Sequence, residues 1–230
     1  MYLSRVFLNP QRRATREWVA SPQKMHAAIL YGFAEQSAEN RPLWRLDRGS
    51  HRLELYTVSA NQPDHTHLVE SGGWSTSPAG VLDYRAFLDT IEVGRQYRFR
   101  LRANTVKSTK AKVGPGERGR VVNVGSREAQ EAWLLERCGA LGFSIPQDAG
   151  DVTSESGEMF ARRNLALTAR ETLRFGKLSA DKRLQVTLAT AQFDGVLKVE
   201  DVALLERALT AGIGRGKAYG CGLLTLAPMI

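Results

Sequence analysis

Two cysteines and four histidines in 230 residues leave little material for disulfide or metal chemistry. Cys138 and Cys221 have no metal-type spacing, and two thiols make a poor disulfide framework, so both read as reduced. His65 and His67 form the one ligand-like spacing, but they fall in a polar stretch where a solvated loop is the simpler reading. No apolar run approaches the roughly 20 residues that a membrane helix needs, and no charged-then-apolar leader opens the sequence. The expectation is a soluble, unsecreted, cytoplasmic chain without membrane contact. No serine or cysteine nucleophile has a fitting histidine and acid, and no paired-carboxylate motif appears, which argues against those hydrolase classes. A Walker loop is missing as well, because Lys217 follows Gly216 but is itself followed by Ala218.

What the chain has in excess is positive charge. Lys plus Arg is 32 against 24 Asp plus Glu, a net of +8. Residues 95–120 hold nine basic side chains and one acid, Glu117, and so equal the whole net charge by themselves. Residues 161–187 add seven more against Glu171 and Asp181, whereas 121–160 is net acidic. Clustering of this kind is the electrostatic footprint of a polyanionic partner.

Hydrophobic periodicity supplies the architecture. YLSRVFL (2–8) reads as a strand, followed by a basic loop through Arg12, Arg13 and Arg16. Ser21 as N-cap and Pro22 at the first helical position predict a helix to about Asn40 that buries Met25, Ile29 and Phe33. LWRL (43–46) and RLELYTVSA (52–60) read as strands, 61–80 as loop with a short strand, and 83–91 as a short helix. RQYRFRLRA puts Tyr97, Phe99 and Leu101 on one face of a strand and Arg98, Arg100 and Arg102 on the other. The order is then β-α-β-β-α-β, the ferredoxin-like pattern. A basic hairpin around Gly114–Pro115–Gly116 follows, then a helix from Ser126 to Cys138 and a polar loop over 144–160. Strands over 165–175, 183–195 and 196–200, a helix capped by Asp201 and a last strand complete a second unit with an antiparallel sheet.

Two features carry chemistry. GIGRGKAYGCGLLTL (212–226) places five glycines within eleven residues, with Arg215 and Lys217 between them. Such a loop can expose backbone amides to an anion, or it can be a tight structural connection. His26 is the one histidine on the helix predicted from Ser21 and Pro22, beside its apolar stripe and after Lys24. An imidazole with a pKa near ~6.5 can give or take a proton at cellular pH. Cleavage of RNA by a ribose 2′-hydroxyl needs that proton transfer and a cation at the phosphate, and in principle no metal. A hydrogen-bonded structural histidine is the competing reading.

MYLSRVFLNP, MHAAILYGF, YRFRLRANTVKS, QFDGVL and GIGRGKAYGCGLLTLAP occur in this order. Together they resemble the CasE-type CRISPR precursor-RNA endoribonucleases of type I-E systems, over nearly the whole chain. The resemblance implies an α+β protein of two tandem ferredoxin-like (RRM-like) domains with antiparallel sheets. The division expected is 1–105 with the catalytic helix and 106–230 with a basic hairpin and the glycine loop. It implies metal-independent cutting of the CRISPR repeat RNA hairpin at the 3′ base of its stem, without a cofactor. It also implies retention of the mature crRNA among the other Cascade subunits. His26 matches the catalytic histidine. Where some members carry a tyrosine and a lysine around it, this chain has Gln23 and Tyr31. Lys182, with Lys24 and Lys177 as alternatives, is the expected phosphate-stabilising cation, and Tyr31 is a further candidate. The basic hairpin matches 161–183, with Arg162, Arg163, Arg170, Arg174, Lys177 and Arg183. Arg98, Arg100, Arg102, Lys107 and Lys110 would line the RNA backbone, and Arg215 and Lys217 would touch it from the glycine loop. A non-catalytic RNA-binding subunit of a ribonucleoprotein explains the same charge and folds. An anion-binding metabolic enzyme explains only the loop.

Overall fold

The computed structural model describes residues 1–34, 41–49, 51–109, 120–153, 159–179 and 182–229; for 109, 120, 148–153, 159–162, 177–179 and 182–184 it describes the backbone alone. Its first unit runs β1 (Tyr2–Leu8), α1 (Arg13–Ala20), α2 (Pro22–Leu30), β2 (Leu43–Arg48), β3 (Leu53–Ser59), α3 (Thr66–Gly72) and β4 (Gly80–Asp83). The sheet order is β2-β3-β1-β4, with every pairing antiparallel. This is the ferredoxin-like arrangement, complete by residue 83. α4 (Tyr84–Leu88) leads out of it.

The second unit opens with β5 (Gln96–Asn104), then β6 (Val106–Thr109), β7 (Arg120–Asn123), α5 (Arg127–Cys138), β8 (Phe143–Ser144), β9 (Gln147–Thr153), β10 (Met159–Arg163), β11 (Leu165–Ser179), β12 (Lys182–Val199), α6 (Val202–Ala211) and β13 (Leu224–Pro228). Its main sheet runs β11-β12-β5-β13, with β8 on the end of β12. The order β5-α5-β11-β12-α6-β13 repeats the topology of the first unit.

The strand 95–104 therefore opens the second sheet, where the sequence pattern had it closing the first. The first sheet is closed by β4, whose four residues are all exposed and so carry no alternating signal. We infer that the two units divide within 84–95, upstream of the expected 105/106. α1 replaces the expected basic loop: Thr15 Oγ1 donates to the Gly72 carbonyl at 2.7 Å and Trp18 packs inward. α2 ends at Leu30, and α3 arises in a stretch read as loop. β9 and β10 form a hairpin in the expected polar loop, and the two expected strands 183–195 and 196–200 are one, β12. The expected glycine turn at 114–116 lies outside the described residues.

The buried side chains form two clusters, the second of which also takes in Leu43 and Val58 of the first sheet. Val6, Leu8, Met25, Ile29, Trp44 and Leu55 fill the first. Tyr97, Phe99 and Leu101 of β5, as the alternation required, join Trp133, Phe193 and Leu209 in the second. Burial pushes both Cys138 and Cys221 thiols up to about 12, so neither is a ready nucleophile. Among the described residues no helix is long and apolar enough to cross a membrane.

Candidate active site and nucleic-acid interface

α2 starts for local reasons. Ser21 is extended at the N-cap and its Oγ accepts from the Lys24 amide at 3.4 Å, with Pro22 beginning the helix. Met25 and Ile29 turn into the core and leave His26 half-buried at their flank. His26 Nδ1 is shielded from solvent and has no hydrogen-bond partner among the described residues. Burial lowers the His26 pKa, and the charge of Arg41 lowers it further. The ring is thus held neutral near pH 7, the form that accepts a proton.

Arg41 is the residue that sequence reasoning missed. It is exposed, lies just before β2, and brings a guanidinium within electrostatic reach of His26. Its position carries no motif, since only the fold returns the chain past α2. Of the expected cations, Lys24 Nζ lies 3.1 Å from Glu17 Oε2, an exposed pair that a ligand can displace at little cost. The Lys177 and Lys182 side chains lie outside the described residues. Tyr31, at the end of α2, is 77% exposed and meets the His67 ring edge-on, with centroids 4.9 Å apart. His67 Nε2–H donates to the Ala28 carbonyl at 2.7 Å.

His65 has a different environment from His67. It is buried at 2% exposure, with Nε2 3.0 Å from Ser4 Oγ, and burial pushes its pKa down to about 4. Among the described residues no group of three His, Cys, Asp or Glu side chains is placed to hold a metal.

All five loop glycines have φ between 75° and 93°. At Gly220 a Cβ would come within 2.7 Å of the Trp44 ring, so close packing and backbone conformation both require glycine. The amides of Ile213, Cys221 and Gly222 donate to the carbonyls of Gly222, Gly216 and Arg102 at 2.9, 3.3 and 2.7 Å. These donors close the loop on itself and on β5 instead of facing an anion. A 3₁₀ turn, Lys217–Tyr219, then packs against α2 and β2 of the first unit. Lys217 Nζ donates to the Ala211 carbonyl at the end of α6 at 2.5 Å, and Arg215 is exposed.

The expected arginine row is only partly open. Arg98 is exposed. Arg100 binds Asp194 Oδ1 at 2.5 Å and Asp47 Oδ2 at 3.3 Å, and Arg102 binds Glu171 Oε2 at 2.7 Å. Lys107 pairs with Glu136 at 3.1 Å. Arg170 is turned inward to Gln130 Oε1, at 2.8 Å, and to the Gly125 carbonyl. Arg163 and Arg174 are exposed, with no acidic partner among the described residues. Lys110 and the side chains of Arg162 and Arg183 lie outside the described residues.

The units are joined by a buried clasp. Arg45 of β2, 2% exposed, binds both Asp47 oxygens at 2.7 and 3.0 Å. It also donates to the Arg100 carbonyl at 2.9 Å, the Leu223 carbonyl at 3.1 Å and Thr225 Oγ1 at 2.9 Å. Beside it a cleft of about 760 Å³ opens, with Arg98, Arg100 and Arg163 on its walls.

Known proteins resemble this chain over its whole length. The model of a family described as CRISPR associated protein matches residues 1–228. The CRISPR-associated endoribonuclease Cse3 of Thermus thermophilus is 30% identical over 233 residues, which cover 99% of this chain and 100% of that protein. The CRISPR system Cascade subunit CasE of Escherichia coli is 28% identical over 238 residues, covering 100% of both. Among solved structures, CRISPR endoribonuclease Cse3 bound to 19 nt RNA superposes with a TM-score of 0.77 at 27% identity, over 99% of this chain and 100% of that one. Thermus thermophilus Cse3 bound to an RNA representing a pre-cleavage complex gives 0.72 at 27% identity, over 99% and 98%.

Proposed function

Because the chain belongs to the CRISPR-associated protein family, we propose that it is the endoribonuclease that cuts CRISPR repeat RNA at the 3′ base of its stem-loop, with His26 moving the proton. The observation that carries this reading is His26 half-buried on α2, its Nδ1 without a hydrogen-bond partner among the described residues, with the exposed Arg41 guanidinium within electrostatic reach and burial lowering the His26 pKa. A neutral imidazole takes the proton of the ribose 2′-hydroxyl as that oxygen attacks the adjacent phosphorus. The P–O5′ bond breaks, and the departing oxygen takes up a proton. The products are a 2′,3′-cyclic phosphate and a 5′-hydroxyl. Arg41 stabilises the charge on the non-bridging oxygens, with Lys182 as a second candidate. Proton transfer and a cation suffice for this step, so no metal is needed.

The remaining roles follow the open charges. Arg98, Arg163, Arg174 and Arg215 contact the RNA backbone directly. Arg100, Arg102 and Lys107 join them only by leaving their acids. An A-form stem offers phosphates and shape more readily than base edges, which suits such contacts. The first unit carries the catalytic helix, and the second carries the basic ribbon and the glycine loop. The product crRNA stays bound, in the cytosol, with other Cascade subunits as partners.

The test is a labelled repeat hairpin in EDTA, with and without deoxyribose before the cut. We expect cleavage of the all-RNA substrate, and binding without cleavage of the deoxy substrate. Cutting of the deoxy substrate overturns the 2′-hydroxyl mechanism, and a need for Mg²⁺ overturns metal independence. Tight binding with no cutting under either condition would make the chain a non-catalytic RNA-binding subunit.

A further inference from the structure

The pairing of β5 with β12 ends at Asn104 opposite Thr190. β11 and β12 continue together to Ser179 opposite Lys182. Beyond the sheet they form a two-stranded ribbon that carries Arg174, Lys177, Lys182 and Arg183. A lone two-stranded ribbon is marginally stable and does not hold its own direction. Something must aim it.

The side chains of the ribbon show what does. The Phe175 ring meets the Tyr219 ring edge-on, with centroids 4.8 Å apart and planes at 61°. Tyr219 belongs to the 3₁₀ turn of the glycine loop, and that turn packs on α2. Tyr219 and Leu173 line a small cavity of about 30 Å³ together with Trp18, Pro22 and Met25, the last two at the start of the helix that carries His26. Glu171, at the root of the ribbon, adds Arg102 at 2.7 Å and Arg48 of the first unit at 3.9 Å. The turn itself is held in place. The Tyr219 amide donates to the Gly216 carbonyl at 2.8 Å, and Gly220 abuts Trp44.

We propose that Tyr219 is a positioning residue: its ring, between Phe175 and the first turn of α2, couples the direction of the basic ribbon to the placement of His26. The inference rests on the role of His26 given above. RNA held by the ribbon then meets the imidazole in one register. Without the ring the ribbon still binds phosphates, but the scissile ribose is displaced from His26. A displacement of about 1 Å is enough to cost roughly 10²-fold in rate.

The experiment is single-turnover cleavage of the repeat hairpin at saturating enzyme, with affinity measured separately, for Tyr219→Ala, Tyr219→Phe and Phe175→Leu. Tyr219→Ala should bind within about threefold of the parent and cut about 10- to 100-fold more slowly, the signature of lost alignment without lost binding. Tyr219→Phe should cut at the parental rate, because the ring and not the hydroxyl makes the contact. Phe175→Leu should behave like Tyr219→Ala, and it carries the same prediction from the ribbon side if Tyr219→Ala unfolds. Parental cutting by Tyr219→Ala overturns the inference. So does a loss of affinity that matches the loss of rate, or a Tyr219→Phe as slow as Tyr219→Ala. The His26→Ala protein is the control. If it cuts normally, the function proposed above fails. If it is inactive while Tyr219→Ala is normal, only the coupling fails.

Discussion

The two units share one topology but differ in side-chain composition. All four histidines lie in the first, and both basic clusters lie in the second. Strands of the first sheet span 4 to 7 residues, whereas β11 and β12 span 15 and 18. β11 and β12 thus run past the sheet as a two-stranded arm that carries Arg174, Lys177, Lys182 and Arg183. The first unit, with its short strands, carries His26 half-buried on α2. Proton transfer and phosphate binding have opposite electrostatic needs, because a dense positive field depresses an imidazole further. On the function proposed above they fall on separate units, joined by the Arg45 clasp and the glycine loop.

That division can be broken from either side. The largest effect falls on the second unit. With six to ten phosphates neutralised, hairpin affinity should drop about 10³- to 10⁵-fold between 50 and 200 mM salt. Arg174→Ala should flatten the salt slope by about 1, while Arg52→Ala, on the first unit and paired with Glu54, should leave it unchanged. Titration by fluorescence anisotropy checks both.

Next comes the clasp. Arg45→Ala removes a buried, five-bonded guanidinium, and urea unfolding should show a loss of about 3 to 5 kcal/mol. The pH dependence of stability should then trace to the first unit. The folded pKa of His65, about 4, lies below its unfolded value of 6.5. Above pH 6.5 both states are neutral there and stability does not change. As pH falls from 6.5 towards 4, only the unfolded state binds the proton, and stability should drop by up to about 3 kcal/mol. His65→Gln should flatten that slope in urea titrations at pH 4.5 and 7. The smallest effect is that of Arg41→Gln. The rate at pH 7 should fall about tenfold, and the acid limb of kcat/KM should move upward as the His26 pKa rises.

Much of the division is legible in the sequence, and its gaps have physical causes. β5 reads plainly because one face is core, and the glycine loop reads plainly because five glycines in left-handed backbone are hard to place otherwise. The Ser21–Pro22 start gives α2, and with it His26. β4 is silent because nothing in it is buried. α1 is hidden by its basic residues, which the helix turns to solvent while Thr15 goes inward. The charge row on β5 reads as open because its partners Asp47, Asp194 and Glu171 arrive from distant strands. Arg41 is unreadable for the same reason: its proximity to His26 exists only after folding.

In the proposed mechanism the first unit supplies the proton chemistry through His26 while the second supplies the grip. The most direct test of this is His26→Ala in single-turnover cleavage of the repeat hairpin with EDTA present, alongside an affinity measurement. We expect affinity within about twofold of the parent and a rate lower by about 10²- to 10⁴-fold. Parental cutting, or a loss of affinity as large as the loss of rate, would contradict it.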